Sequence, residues 1–540
     1  MKVSYKILVV DATGAGKGRR RFTRDAIGCG PRSICGVLEQ LSLESQIFRA
    51  EEILQKGFPP GFSSLFISGM SMDKIAIKRL INLWRQDFEG KVIVGGSVTS
   101  ELEDALTATK ANIIVIGEGE FTVQEIIKKK VLLSDENNIE LRNISGIGYF
   151  SPVKKIKIND FRTYSSREEF RTFTPSTRRI KDYSNFFWAK VYVECVRGCS
   201  NFGGTKLPLR DGRKCSECGY CEEHSLVLRA NCPQEIPPGC GFCSVPSLFG
   251  PARSRAREAI INEIDRLLVQ GVKRIVLSAP DFLDFGRDEL VAPEPLVNPK
   301  KPPANEQAIE ALLSQIVQLN KISQGKAWVE VENVKANLFT ERLAKIISDY
   351  LPDSSFSIGC ETGSKEHAKL LGRPSIPDET LQAVKIAHKY GLNPHVYFIH
   401  SLPGQTRQIA KETAALIKKM APFVAKITIY RFRPLPLSAF GDFPVPKPAV
   451  KNPASQLISE AAYEVNLQKK KELKGKKVKV IISEPNYRDK NGAMGYILNG
   501  GPIVAVKNAR ERIGEILMVK IEKAITDKLV LGTIVPPKET

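Results

Sequence analysis

Eight of the chain's eleven cysteines fall between Cys195 and Cys243, in VYVECVRGCSNFGGTKLPLRDGRKCSECGYCEEHSLVLRANCPQEIPPGCGFCSVP. Thiolates this dense serve either disulfides or a metal. A tight C-x2-C turn brings two sulfurs onto one ion. Cys215, Cys218, Cys221 and Cys232 read C-x2-C-x2-C-x10-C, a complete four-thiolate set within one loop. Such a set accepts an iron–sulfur cluster, a single iron or zinc. With every ligand on one loop, the expectation is a mononuclear structural ion, a second metal of the chain. Cys199, Cys240 and Cys243 then remain as a triplet. Three thiolates on a 4Fe-4S cluster leave one iron open to a ligand, whereas structural sites are closed. A rival triplet, Cys232 with Cys240 and Cys243, is more compact in sequence. It strands Cys215, Cys218 and Cys221 without a fourth partner unless Cys199 supplies it. Cys195 lies inside a strand, and Cys29, Cys35 and Cys360 are isolated; all four read as small buried hydrophobes.

The elements that must position these sulfurs are those of an ordinary globular chain. At 540 residues, three or four domains are expected. No apolar run approaches the ~20 residues that span a bilayer. MKVSYKILVVDATG leads into Asp11 and a glycine turn, so it reads as a first strand rather than a signal peptide. A reducing, cytoplasmic setting follows as an expectation and disfavours disulfides. The net charge of +21 suits acidic partners, nucleic acid among them, or simply a solvated surface.

The fold class is α/β in three parts. Residues 1–130 alternate KILVVDATG, LFISGMS, KVIVGGSVT and NIIVIGEGE with helical stretches, each strand ending in a glycine turn. That is a Rossmann-like doubly wound sheet, with ligands bound beyond the carboxyl ends of its strands. TGAGKG lacks the spacing of a phosphate loop. Residues 131–185 form a connecting segment with a hairpin at GIGYFSPVKKIKIND. Residues 186–445 read as a partial (β/α)6 barrel carrying the cysteine-rich insertion 200–238. Its chemistry belongs at the carboxyl ends of the strands. SRAREAIINEIDRLLVQG predicts a helix stopped by Gly271, and Thr340 an N-cap. Residues 446–540 comprise a proline-rich linker and short, evenly spaced strands of a small β-barrel.

VRGC at a strand end, with CGFCSVPSLFGPARSR, resembles the cluster motif of radical S-adenosylmethionine (SAM) enzymes, although about forty residues separate Cys199 from Cys240 in place of the usual compact C-x3-C-x2-C. GCETGSKEHAKLLGRP and FIHSLPGQT resemble the family's fourth and fifth strand signatures. VGGSVT and IGEGE resemble the cobalamin-binding domain that precedes many such barrels. The whole is similar to the cobalamin-dependent C-methyltransferases that act on a glutamine of methyl-coenzyme M reductase in methanogens. The resemblance implies a 4Fe-4S cluster, S-adenosyl-L-methionine and cobalamin as cofactors. It also implies an external electron donor, hydrogen abstraction by a 5′-deoxyadenosyl radical, and methylation of an unactivated carbon. By motif position it implies SAM contacts from Phe242, Ser278, Asp281, Glu361, Ser364 and Arg373, with SAPD standing where Gly-Gly-Glu is commoner. It implies cobalamin contacts from Ser68, Gly69, Gly95, Gly96, Gly117 and Glu118. No Asp-x-His-x-x-Gly occurs, and all five histidines follow residue 223, so no histidine of the first domain is expected beneath cobalt. The alternative is a radical tRNA- or RNA-modifying methyltransferase or methylthiotransferase, which the C-terminal barrel and basic charge would suit. Methylthiotransferases carry three N-terminal cysteines, whereas only Cys29 and Cys35 occur here.

Overall fold

The computed structural model describes residues 5–20, 23–133 and 139–536. Residues 1–4, at the head of the expected first strand, lie outside them. The chain divides into two compact units.

The first unit comprises Met1–Val193 with Arg255–Val272. Its seven-stranded sheet runs Glu44–Arg49, Lys6–Asp11, Ser64–Ser68, Val92–Gly95, Ile113–Val115, Ile147–Phe150, Ile156–Ile158. The first five strands are parallel, and the last two form an antiparallel hairpin on the edge. The central strands are apolar on both faces, as burial under helices on both sides requires. One packed layer holds Leu8, Val10, Leu65, Ile77 and Trp84, with Trp84 stacked on Phe88 at 4.2 Å. Strand order reverses between Lys6–Asp11 and its neighbour Ser64–Ser68, which opens a crevice beyond their carboxyl ends. The sheet therefore extends past residue 130: the hairpin expected in a connecting segment adds two strands to it. The helix Arg257–Gln270 forms as expected and ends at Gly271, whose φ is 107°.

The second unit comprises Glu194–Ser254 with Lys273–Thr540. Strands Arg274–Ser278, Trp328–Val331, Ser355–Glu361, Asn393–His400 and Lys426–Arg431 alternate with helices. Pairing is parallel within the first two and within the last three. A parallel bridge from Asn333 to Ser357 joins the two sets. Thr340 caps the helix Glu341–Tyr350 by accepting the Leu343 amide. In Asn393–His400 burial alternates strictly, with Val396, Phe398 and His400 buried while His395, Tyr397 and Ile399 are half-buried. The C-terminal strands close into a five-stranded barrel around Val480, Val504, Val519 and Val530. This barrel sits against the starts of the parallel strands. Arg274 lies over Tyr496 at 5.3 Å, Lys273 Nζ donates to the Gly514 carbonyl at 2.5 Å, and a Cβ on Gly500 would come within 2.6 Å of Ser355 Oγ.

Part of the expected linker is a helix. Pro453–Lys471 runs for 19 residues, capped by the Asn452 side chain on the Ala454 and Ser455 amides. Proline at the first helical position needs no intrahelical donor, so it opens a helix as readily as it marks a linker. Among the described residues no helix is long and apolar enough to cross a membrane.

Candidate functional site

The candidate centre lies where the cysteine strand ends. Val196–Arg197 pairs antiparallel with Arg253–Ser254, and the Asp288 carboxylate accepts the Ser254 hydroxyl at 2.6 Å and its amide at 3.2 Å. Gly198 then turns with φ 80°, and the Cys199 amide donates to the Gly250 carbonyl at 3.0 Å. Only glycine fits there: a Cβ on Gly198 would lie 2.1 Å from the Pro251 carbonyl oxygen. Cys240 and Cys243 sit on one tight turn, with the Cys243 amide on the Cys240 carbonyl at 2.8 Å. The intervening Gly241 leaves room for the Phe440 ring, 2.4 Å from where its Cβ would be. Phe242 packs half-buried beside Phe440, Phe432 and Leu371.

The structure brings Cys199, Cys240 and Cys243 together. Asn201 bridges two of them: its amide points at Cys199 Sγ (3.4 Å) and its side-chain amide at Cys240 Sγ (3.3 Å). Arg373 Nη1 lies 3.5 Å from Cys240 Sγ. Burial and the neighbouring sulfurs push the Cys243 thiol up to about 12, and burial raises Cys199 as well. Thiols such as Cys199 and Cys243 that resist ionisation alone become favourable ligands once a cationic group sits among them. The donor set fits an iron–sulfur cluster. Among the described residues no group of three or more His, Cys, Asp or Glu side chains is placed so that it could hold a metal ion as it stands. In the insertion, Cys218 is exposed, and the Cys232 amide donates to the Arg229 carbonyl at 3.3 Å.

The motif residues fall around this centre with differing roles. The Ser278 hydroxyl donates to Glu332 Oε2 at 2.6 Å, and the Ala279 amide to the same oxygen at 3.2 Å. Glu361, at φ 68° after a bulge, faces Arg373 across 3.8 Å. Burial raises the Glu361 pKa against the pull of Arg373. Arg373 Nη2 also donates to the Gly359 carbonyl, and its Nε is buried without a hydrogen-bond partner. A carboxylate, a guanidinium and a serine–glutamate pair at successive strand ends suit a zwitterionic ligand. Ser364 starts the helix Lys365–Leu370 without capping it through its side chain. Asp281 is engaged elsewhere: Oδ1 accepts the Leu283 and Lys335 amides at 3.1 and 2.9 Å. Burial lifts its carboxyl to about 6, against the pull of Lys335.

In the first unit, Ser68, Gly69, Gly95 and Gly96 meet beyond two neighbouring strands. The Gly69 amide donates to Gly95 at 3.1 Å. Gly96 at φ 87° has no room for a Cβ, which would meet the Gly69 oxygen at 2.6 Å, while the Cα of Gly95 faces open space. Gly117, at φ 75°, follows the next strand. Bare backbone at these strand ends fits a bulky ligand such as cobalamin. Glu118 is held inward, accepting the Ser165 amide at 2.7 Å and its hydroxyl at 2.9 Å. Asp73, which the motif reading passed over, accepts the Gly14, Gly16 and Met70 amides and ties the first loop to the third strand's loop. Cys29 donates to the Tyr192 carbonyl at 3.1 Å, and burial pushes Cys35 up to about 12.

Sequence patterns did not single out Asn201, Glu332, Lys335, Asp284 or Arg287. Their signal was polar residues at strand carboxyl ends, where a barrel keeps its chemistry.

The Radical SAM superfamily profile matches residues 231–417, so Cys199 enters the centre from outside the matched span. The fold is that of cobalamin-dependent radical SAM enzymes. The methyltransferase TsrM from Kitasatospora setae, solved with cobalamin and a [4Fe-4S] cluster, superposes with a TM-score of 0.54 at 12% identity, covering 81% of this chain and 74% of that one. The cobalamin-dependent SAM radical enzyme OxsB superposes with a TM-score of 0.54 at 14% identity, covering 85% of this chain and 57% of that one. Uncharacterized protein MJ1620 of Methanocaldococcus jannaschii is 43% identical over 98% of both chains. MK0932 of Methanopyrus kandleri is 39% identical over 99% of this chain and 97% of its own. The chain belongs to the family of these two proteins, and its residues 231–417 match the Radical SAM superfamily profile. More distantly, the tRNA-2-methylthio-N(6)-dimethylallyladenosine synthase of Clostridium novyi is 26% identical over 53% of this chain and 59% of its own.

Proposed function

We propose that the protein is a cobalamin-dependent radical SAM C-methyltransferase, and that its substrate is a glutamine carbon of methyl-coenzyme M reductase. The observation that carries the reaction class is the convergence of Cys199 and Cys240 on Asn201, with Cys243 on the same tight turn as Cys240. Full-length relatives in two methanogens support the substrate. When bound, the cluster and SAM supply a 5′-deoxyadenosyl radical, and cobalamin supplies the methyl group. The chain's own part is positional. Arg373 and Glu361 offer a buried pair to the charged end of SAM, the Glu332–Ser278 pair orients the neighbouring turn, and Phe242 offers a ring to the adenine.

The test is anaerobic reconstitution with iron, sulfide, SAM and cobalamin, comparing Cys199→Ala with Cys232→Ala. Cys199→Ala abolishes formation of 5′-deoxyadenosine and Cys232→Ala retains it; the reverse pattern refutes the cysteine assignment. A reductase peptide containing the glutamine gains one methyl group by mass spectrometry with the wild type. An unmodified peptide, beside active SAM cleavage, refutes the substrate.

One observation favours a second reading, an RNA substrate. On the outside of the C-terminal barrel Lys477 stands directly opposite Lys520, both exposed, with Lys476 and Lys479 adjacent. Like charges paired across strands cost stability, and a polyanion would offset that cost. In this reading transfer RNA binds with a steep salt dependence that Lys477→Glu/Lys520→Glu flattens; binding unchanged by the double substitution excludes it.

A further inference from the structure

The insertion creates a mechanical problem for the centre. In a compact C-x3-C-x2-C loop the first cysteine is held by its short tether to the second. Here about forty residues intervene between Cys199 and Cys240, most of them irregular and half of them exposed, so sequence proximity holds nothing in place. Beside Cys199 the structure has a buried polar clasp instead.

Ser200 is fully buried and sits at its middle. Its hydroxyl donates to Asp284 Oδ1 at 2.9 Å and accepts from Lys335 Nζ at 2.7 Å, and its amide faces Asp284 Oδ2 at 3.4 Å. Lys335 Nζ also reaches Asp284 at 2.9 Å and Asp281 at 3.3 Å. Arg287, fully buried, pairs with Asp284 and is fixed by the Pro302 carbonyl at 3.0 Å and the Asn298 carbonyl at 3.2 Å. Two cations and two carboxylates thus balance in a dry site. Such a group persists only when its geometry is satisfied throughout. The members come from three separate segments: Cys199–Ser200, the turn Asp281–Arg287, and the loop after Trp328–Val331. The clasp therefore anchors the Cys199 backbone to the body of the barrel.

The clasp also places charge. Lys335 Nζ stands 2.7 Å from the hydroxyl of Ser200, the residue next to Cys199, and the Asp284 and Asp281 carboxylates at 2.9 and 3.3 Å hold that ammonium in place. A fixed ammonium beside a cluster sulfur stabilises the more negative, reduced state, and low surrounding polarity magnifies the effect.

We infer that Ser200, Asp284, Arg287 and Lys335 are positioning residues that replace the missing short tether of Cys199, and that Lys335 raises the reduction potential of the cluster. The inference rests on the cluster reading above.

The experiment uses the full-length protein, anaerobically reconstituted, with three variants and their thermal unfolding as a control for folding. Lys335→Met is expected to shift the electron paramagnetic resonance signal of the reduced cluster and to move its midpoint to a more negative potential in a mediated titration. Lys335→Arg returns the midpoint toward wild type. Ser200→Ala keeps the ion pairs and removes only the hydroxyl link. It is expected to lose iron to a chelator about tenfold faster than wild type, with its midpoint unchanged. A Lys335→Met protein with wild-type spectrum and midpoint overturns the charge role. A Ser200→Ala protein with wild-type iron release overturns the positioning role, and it decides that point even where Lys335→Met fails to fold. Wild-type protein that forms no cubane signal at all refutes the cluster reading instead.

Discussion

Replacing Gly198 by alanine concentrates its damage on the cysteine strand. The new Cβ would lie 2.1 Å from the Pro251 carbonyl oxygen and 2.6 Å from that of Gly250, both backbone atoms that no rotamer change can move. The turn must open by about 1 Å to restore ordinary contact. That motion breaks the bond from the Cys199 amide to Gly250, a loss of ~1 kcal/mol. The left-handed backbone at φ 80° adds ~1–2 kcal/mol, and overpacking adds ~1–3 kcal/mol. Gly198→Ala should therefore cost about 3–6 kcal/mol, concentrated where Cys199 is aimed. The assay is iron and sulfide content after anaerobic reconstitution, beside thermal unfolding. Gly212 is the control, since it has φ 90° but nothing within 4 Å of its Cβ. Gly212→Ala should show only the backbone penalty and retain its iron. A Gly198→Ala protein with full iron content and an unshifted melt refutes the reasoning.

Other outcomes follow from the same geometry. Glu263 is buried between Arg32 at 2.7 Å and Arg255 at 2.6 Å, so Glu263→Ala leaves the guanidiniums without that carboxylate and costs about 3–5 kcal/mol in denaturant unfolding; a loss under 1 kcal/mol contradicts the pairing. Burial lowers the pKa of His367 and His400, so their contribution is full above the unfolded value of ~6.5 and is lost as pH falls below it. The melting temperature should drop from pH 6.5 downward, with His367→Asn, which cannot take up the proton, reducing the slope; an equal slope in that variant counts against it. Cys29→Ser and Cys35→Ala should leave iron content unchanged, and a loss of iron in either would revive an N-terminal cluster.

The strand–glycine–helix rhythm of the first unit and the helix stop at Gly271 were legible because each rests on a local backbone demand. The helix Pro453–Lys471 was not, since the prolines just before it mark a linker equally well. The hairpin Ile147–Ile158 was read as a hairpin, but its membership of the sheet depends on pairing with Ile113–Val115, a contact that local pattern does not encode. At the centre, Cys199, Cys240 and Cys243 could be chosen by counting sulfurs. Lys335 could not, because its importance comes from lying beside Ser200, 135 positions away in the chain. Asp281 has a part that its place in SAPD did not show: its Oδ1 holds the Leu283 and Lys335 amides, and its Oδ2 lies 3.3 Å from Lys335 Nζ.

The C-terminal barrel covers the ends at which the parallel strands begin, through Tyr496, Gly500 and Gly514. The cysteine centre gathers at the opposite end of that strand set, so the small domain plugs the end away from the chemistry and leaves the sulfurs to be approached from the carboxyl ends alone.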